Sequence, residues 1–185
     1  MSVVSSPLLV AVIGPESSGK STFCQAMAMR LQQAGIDAAV VDEYAREYYA
    51  TREYRPTLAD VLAIAAGQQA AEARQAGRHR VLLCDTTVLT CRIWAEVGFG
   101  VSPDALSAAD HAARYRLTWL MQPDIPWQAD PLRSHPHARE ALFARHQALL
   151  AELGVDYRVL SGSVTQRLAA AWPALQTCLP ELPAF

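Results

Sequence analysis

Residues Gly14 to Thr22 read GPESSGKST, and Gly14, Gly19, Lys20 and Ser21 fall in the spacing G-x-x-x-x-G-K-[ST]. Glycines at those two places let the backbone curl until successive N–H groups point inward, forming a nest for phosphate oxygens. A helix opening at Gly19 adds the positive end of its dipole. Lys20 is the sole lysine among 16 Lys and Arg residues. A compact ammonium on a thin stem reaches β- and γ-phosphates where a planar guanidinium is too bulky. Ser21 offers a hydroxyl to Mg²⁺. Gly14, Glu16, Ser17, Ser18, Gly19, Lys20, Ser21 and Thr22 are therefore the candidate nucleotide-binding residues, with ATP and Mg²⁺ as the expected cofactors.

A phosphate loop serves several chemistries, and the remaining charged residues separate them. A GTPase switch reads guanine with N-K-x-D, which a chain with no second lysine cannot contain. A motor-type ATPase ends an apolar strand in Asp-Glu, the Glu polarising water, whereas here Asp85 is followed by Thr86. A small-molecule kinase needs a carboxylate to orient or deprotonate the acceptor hydroxyl, and an arginine-bearing lid to neutralise the transferring phosphoryl group and exclude water. VVDEYAR supplies Asp42, Glu43 and Arg46 after a strand, and DPLRSHPHAR supplies Arg133 and Arg139 in a proline-rich loop. Glu43, or Asp42, is read as the group facing the acceptor hydroxyl. Asp85, with Ser21, is read on the magnesium side, a base role being its alternative. His135 and His137 form an H-x-H pair without a nearby third ligand and are read as solvated rather than metal-binding. Trp127 is an anchor for the lid or a surface for a ligand ring.

These residues must be carried on a scaffold that brings them to one edge. LLVAVI, from Leu8, is apolar at every position, as in a strand covered on both faces. A helix is expected from Gly19 to Ala34, with Phe23, Met27 and Leu31 on one face. Strands are expected at Ala38 to about Asp42 and in RVLLCD, YRLTWLM and VDYRVL, alternating with helices in TLADVLAIAAGQQAAEARQAG, TVLTCRIWAEV and EALFARHQALLAEL. A short helix near Pro103 and a last one from Val164 to Cys178 complete the series. That alternation predicts an α/β three-layer fold with a mostly parallel five-stranded sheet, in one domain over residues 1–185. In such sheets ligands bind outside the carboxyl ends of the strands, where Asp42, Glu43 and Asp85 fall.

The net charge of −2 gives no field that would draw nucleic acid or an acidic membrane. The apolar run at the N-terminus is far shorter than the roughly 20 residues of a membrane span, and no basic export signal precedes it. Four cysteines without a CxxC pair read as free or buried thiols of a reducing compartment. The expectation is a cytoplasmic protein with a small-molecule partner, and neither nucleic acid nor membrane.

Taken in order, GPESSGKST, EYAREYY, CDTT…IW, PDIPWQADPLR and HPHARE resemble the nicotinamide riboside kinase domain of bacterial NadR-type proteins and their stand-alone relatives, over about Leu8 to Leu168. The resemblance implies a P-loop NTPase fold of the nucleoside- and nucleotide-kinase kind. It implies ATP-dependent phosphorylation of the ribose 5′-hydroxyl of nicotinamide riboside, with Lys20 and Ser21 on the nucleotide. Asp42, Glu43, Arg46 and Asp85 would lie near the riboside, Arg133 and Arg139 in the lid, and LSGSVTQR, Leu160 to Arg167, near the adenine. The chain departs from the family where an aromatic residue before EY is Asp42, where DTD is DTT, and where DGLR is DPLR. An acidic Asp42 suits a cationic pyridinium. The larger relatives' DNA-binding and adenylyl-transfer parts have no counterpart motif here, so neither activity is expected. A nucleotide kinase and a non-kinase ATP-binding regulatory NTPase are the alternatives.

Overall fold

The computed structural model describes residues 6–107 and 112–185. Its five strands, β1 (Leu8–Ile13), β2 (Ala38–Val41), β3 (Val81–Asp85), β4 (Leu117–Met121) and β5 (Arg158–Leu160), form one sheet in the order β2-β3-β1-β4-β5. Every pairing is parallel, so the sheet is more uniform than the mostly parallel one expected. Central β1 is hydrogen-bonded on both sides, with Val10 opposite Leu83 of β3 and Leu117 of β4.

The all-apolar reading of β1 has a direct packing consequence. Alternate residues of a strand point to opposite faces. Val10 and Val12 join Phe23, Met27, Leu31, Trp119 and Trp172 in one core, whereas Ala11 and Ile13 join Leu82, Leu89, Ile93, Leu142 and Leu149 in another. The first core lies beneath α1 (Lys20–Gln33) and the C-terminal helix, here α6 (Val164–Cys178). The second lies beneath α4 (Val88–Phe99) and α5 (Arg139–Glu152). These are the two outer layers of an α/β/α sandwich. The four cysteines are free thiols.

Two elements differ from the expectation. EYAREYY contributes a six-residue helix, α2 (Tyr44–Tyr49), too short for a periodic signal. The expected helix near Pro103 is a single 3₁₀ turn, Asp104–Leu106, and the sequence after Ser107 up to residue 111 lies outside the described residues. The long helix α3 (Leu58–Gln75) starts at a reciprocal cap. Thr57 accepts from the Asp60 N–H, and Asp60 accepts from the Thr57 N–H. Among the described residues no helix is long and apolar enough to cross a membrane.

Candidate active site

Because the strands are parallel, the loops after β1, β2 and β3 leave from one edge of the sheet. The loop after β1 is shaped by its glycines. Gly14 has φ +143°, and a Cβ there would lie 2.8 Å from the Met121 carbonyl oxygen of β4. Gly19 has φ +83° and begins α1 with no side chain capping the helix. The first amides of α1 are thus left for a ligand. Ser17, also left-handed at φ +54°, completes the curl. The Lys20 ammonium curves back over the loop and donates to the Gly14 and Pro15 carbonyls at 3.1 and 2.9 Å.

The segment between β4 and α5, the one read as a lid, packs over this loop. The Glu16 carboxylate accepts from the backbone N–H groups of Ser134 and His135 at 3.1 and 3.0 Å. Ser17 Oγ accepts from the Gln128 N–H at 2.9 Å. The side chains of Glu16 and Ser17, expected on the nucleotide, therefore seat the lid. Arg139 does the same from the other side, its Nη1 donating to the carbonyls of Ser17 and Ile125 at 3.2 and 2.8 Å. It stands near the Trp127 ring and outside the cavity wall, a brace rather than a free lid cation. Trp127 does not line the cavity either; its half-buried ring lies 5.9 Å from the Arg139 guanidinium. Arg133 does line it, held by the Gln128 carbonyl at 2.6 Å. Arg46 reaches across to the lid, 3.1 Å from Asp130 and 3.9 Å from Glu43.

The cavity so enclosed has a volume of about 610 Å³. The phosphate loop from Glu16 to Thr22 forms one part of its wall, and Gly162, Ser163 and Val164 after β5 another. A third part is apolar and aromatic, with Tyr49 of α2, Val61 and Ile64 of α3, and Trp94 of α4. The His135 ring lies 5.2 Å from that of Trp94. Its backbone N–H is on Glu16, and no cluster of three metal-binding side chains occurs among the described residues.

Glu43 lines the cavity, whereas Asp42 is exposed and stands outside the wall. β2 ends at Val41, and the chain turns through extended Glu43 into α2, which brings only the second carboxylate inward. The charge of Asp42 still reaches Asp85, but the residue itself stands away from the cavity where the substrate-side reading put it. Asp85 is 2% exposed at the end of β3. Burial, opposed by the Lys20 ammonium and reinforced by the charge of Glu43, pushes its carboxyl from 3.8 up to about 6. The Ser21 hydroxyl acts in the opposite sense and lowers it, and the Asp85 Oδ1 has no hydrogen-bond partner. The next residue, Thr86, is a β-branched residue at φ +76°, a strained conformation of the kind that gathers at functional sites.

Three further side chains complete the site: Gln68, which no motif contains, and Trp94 and Arg167, which end the CDTT…IW and LSGSVTQR stretches without having been given a role of their own. Gln68 accepts from the Tyr44 N–H at 2.8 Å and lines the cavity. Trp94 supplies the largest ring of the wall. Arg167 of α6, 2% exposed, donates to the carbonyls of Ser18 and Gln122 and pairs with Asp124, tying the phosphate loop to β4 and α6. One sequence signal was present. Gly67 interrupts a helical pattern at a cost of roughly 1 kcal/mol relative to alanine, and a Cβ there would overlap the Tyr44 ring at 2.0 Å.

A strand–GxxxxGKS–helix unit at the carboxyl edge of this five-stranded parallel sheet defines a P-loop NTPase fold of the kind shared by nucleoside and nucleotide kinases. The family model described as AAA domain (AAA_28) matches residues 9–167, and the chain belongs to that family. No curated protein sequence matches it. The structure is similar to that of NadR protein in complex with NAD and AMP-PNP, with a TM-score of 0.70 and 19% identity over 92% of this chain and 49% of that one. It is similarly close to NadR protein in complex with NR, with a TM-score of 0.69, 20% identity, and 92% and 50% covered. The chain thus spans about half the length of the NadR chains it matches. Thymidylate kinase from Ehrlichia chaffeensis shares the fold over its whole length, with a TM-score of 0.64, 11% identity, and 93% and 100% covered.

Proposed function

We propose that this chain is an ATP-dependent kinase that phosphorylates the ribose 5′-hydroxyl of nicotinamide riboside. The observation that carries the reading is the composition of one cavity. Its phosphate-loop wall and its aromatic wall are continuous, and Glu43 stands in the same wall. The cation beside Glu43, Arg46, is already paired with Asp130. That wall suits an acceptor carrying a hydroxyl and a flat, uncharged or cationic ring better than one carrying a phosphate. NadR, solved with NR and with AMP-PNP, supports the choice of acceptor and of ATP.

Under this reading Lys20 and the loop amides hold the β- and γ-phosphates, and Gly162 to Val164 border the adenine. Glu43 orients the acceptor hydroxyl and receives its proton. Arg133 faces the transferring group from the lid. The residues present fit Mg²⁺: Asp85 has a buried, unpartnered carboxylate oxygen, the Ser21 hydroxyl acts on the same carboxyl, and magnesium takes one or two carboxylates together with phosphate oxygens. Bound there, it would neutralise charge on the phosphates. The chain's own contribution is positioning and charge placement in a water-poor site.

The test is a panel of ribosides and nucleotides with ATP and Mg²⁺, read by product mass. Nicotinamide riboside should yield its mononucleotide. Product from nucleotides alone would establish the second reading, a nucleotide kinase, which Arg133 in the wall favours. Slow ATP hydrolysis without any phosphorylated acceptor would leave a regulatory NTPase.

A further inference from the structure

We infer that Gln68 reads a hydrogen-bond acceptor atom on the ring of the phosphoryl acceptor, selecting a planar base that carries a carbonyl or carboxamide oxygen. The inference rests on the riboside-kinase reading and names a ring contact that the reading leaves unassigned. Gln68 sits in the middle of α3 and is 1% exposed. A backbone N–H can only donate, so the Tyr44 N–H at 2.8 Å fixes which end of the amide is oxygen. The other end, Nε2, is buried and has no hydrogen-bond partner. A buried donor left unmet costs roughly 1–3 kcal/mol, which a ligand atom in the cavity removes. The same side chain lines the cavity with Val61, Ile64 and Trp94, surfaces that take the faces and edges of a flat ring.

The local packing keeps that donor in place. Gly67 admits the Tyr44 ring against α3, and the Tyr44 N–H then holds the Gln68 oxygen. Rotating the amide would set the NH₂ group against the Tyr44 N–H, donor against donor. At its Nε2 end the side chain therefore presents a donor and cannot turn an acceptor there. A ring with an oxygen there gains a hydrogen bond. A ring without one leaves the amide unmet, and a ring with an amino group there meets donor with donor.

The experiment compares nicotinamide riboside with pyridine riboside, which has the same charge and ribose but lacks the carboxamide. The wild-type protein should phosphorylate the former with a kcat/KM roughly tenfold or more higher, as one buried hydrogen bond supplies. The difference should lie mainly in KM, and calorimetry with AMP-PNP present should show the same preference in binding. Gln68→Met keeps the length of the side chain and removes the donor, and should bring the ratio to about one; a carboxylate there would instead accept from the NH₂ group of the same carboxamide. The Tyr44 N–H loses its acceptor with both ligands alike, so taking a ratio cancels that cost. Equal efficiencies in the wild-type protein, or a ratio that survives in Gln68→Met, overturn the inference while leaving the kinase reading intact. If Gln68→Met fails to fold, the wild-type calorimetric preference decides alone. Phosphorylation of neither riboside removes the riboside reading, and this inference with it.

Discussion

Asp85 stands where function and stability should oppose each other. Its carboxyl is raised from 3.8 to about 6, chiefly by burial. At about 1.4 kcal/mol per pKa unit, ionising it in the folded chain costs about 3 kcal/mol at neutral pH. The folded chain holds this proton more tightly than the unfolded chain does, so folding takes up a proton between about pH 4 and pH 6. The stability linked to Asp85 is therefore highest below about pH 4, falls as the pH rises to about 6, and is constant above. Asp85→Asn removes the charge and keeps the shape. In metal-free buffer it should unfold at a higher denaturant concentration than the wild-type protein at about pH 7.5, by up to about 3 kcal/mol. The two proteins should converge near pH 4, while transfer with ATP and Mg²⁺ falls at least roughly a hundredfold. Denaturant melts of both proteins across that range measure the difference directly, and it isolates Asp85 from other titrating groups. A stability difference independent of pH, or a less stable variant at about pH 7.5, would refute the assignment of the shift to a buried, uncompensated carboxylate.

Three further perturbations probe other parts of the site. Arg167→Met removes donors from Ser18, Gln122 and Asp124. With Asp124 in part open to water, the loss should be about 3 kcal/mol, a fall in Tm of roughly 6–12 °C, with a higher KM for ATP; a fall below about 2 °C would contradict its role as a brace. The same glycine-to-alanine change should act in opposite directions in two helices. Gly67→Ala must displace Tyr44, and with it the turn that carries Glu43, and should destabilise by about 1–3 kcal/mol and lower kcat/KM. Gly98→Ala meets open space and should stabilise by roughly half a kcal/mol; matching signs in thermal melts would count against the packing described for Tyr44. Lys20→Arg retains the charge but not the compact shape, and should reduce transfer at least roughly a hundredfold, with near-wild-type turnover the result that would contradict it.

The residues whose roles depend only on their neighbours in sequence were legible without coordinates. The phosphate loop is contiguous backbone, so Gly14, Gly19 and Lys20 carry their meaning within eight residues. The buried strands declared themselves as apolar runs, and the helices as periodic faces closed by glycines. That was enough for the layers and the direction of the sheet. The pairing of Asp42 and Glu43 was legible too, but which one turns inward was not, because a six-residue helix after β2 sets the turn and leaves no periodic trace. The lid arginines illustrate the same limit. Arg133 and Arg139 are alike in sequence, yet one faces the cavity and the other braces backbone carbonyls, since that outcome depends on where Ser17 and Ile125 lie after folding.

Contacts across long sequence separations were decided by the tertiary structure alone. Gln68 meets Tyr44 from 24 residues away, and Arg167 meets Ser18 from 149. The raised carboxyl of Asp85 is of the same kind, since desolvation is a property of what surrounds a group and no local pattern encodes it. Sequence alone thus determined the phosphate-loop motif, whose geometry is local. The apolar and aromatic wall of the cavity comes from α2, α3 and α4, and only the packing of those helices decided which of their side chains face it.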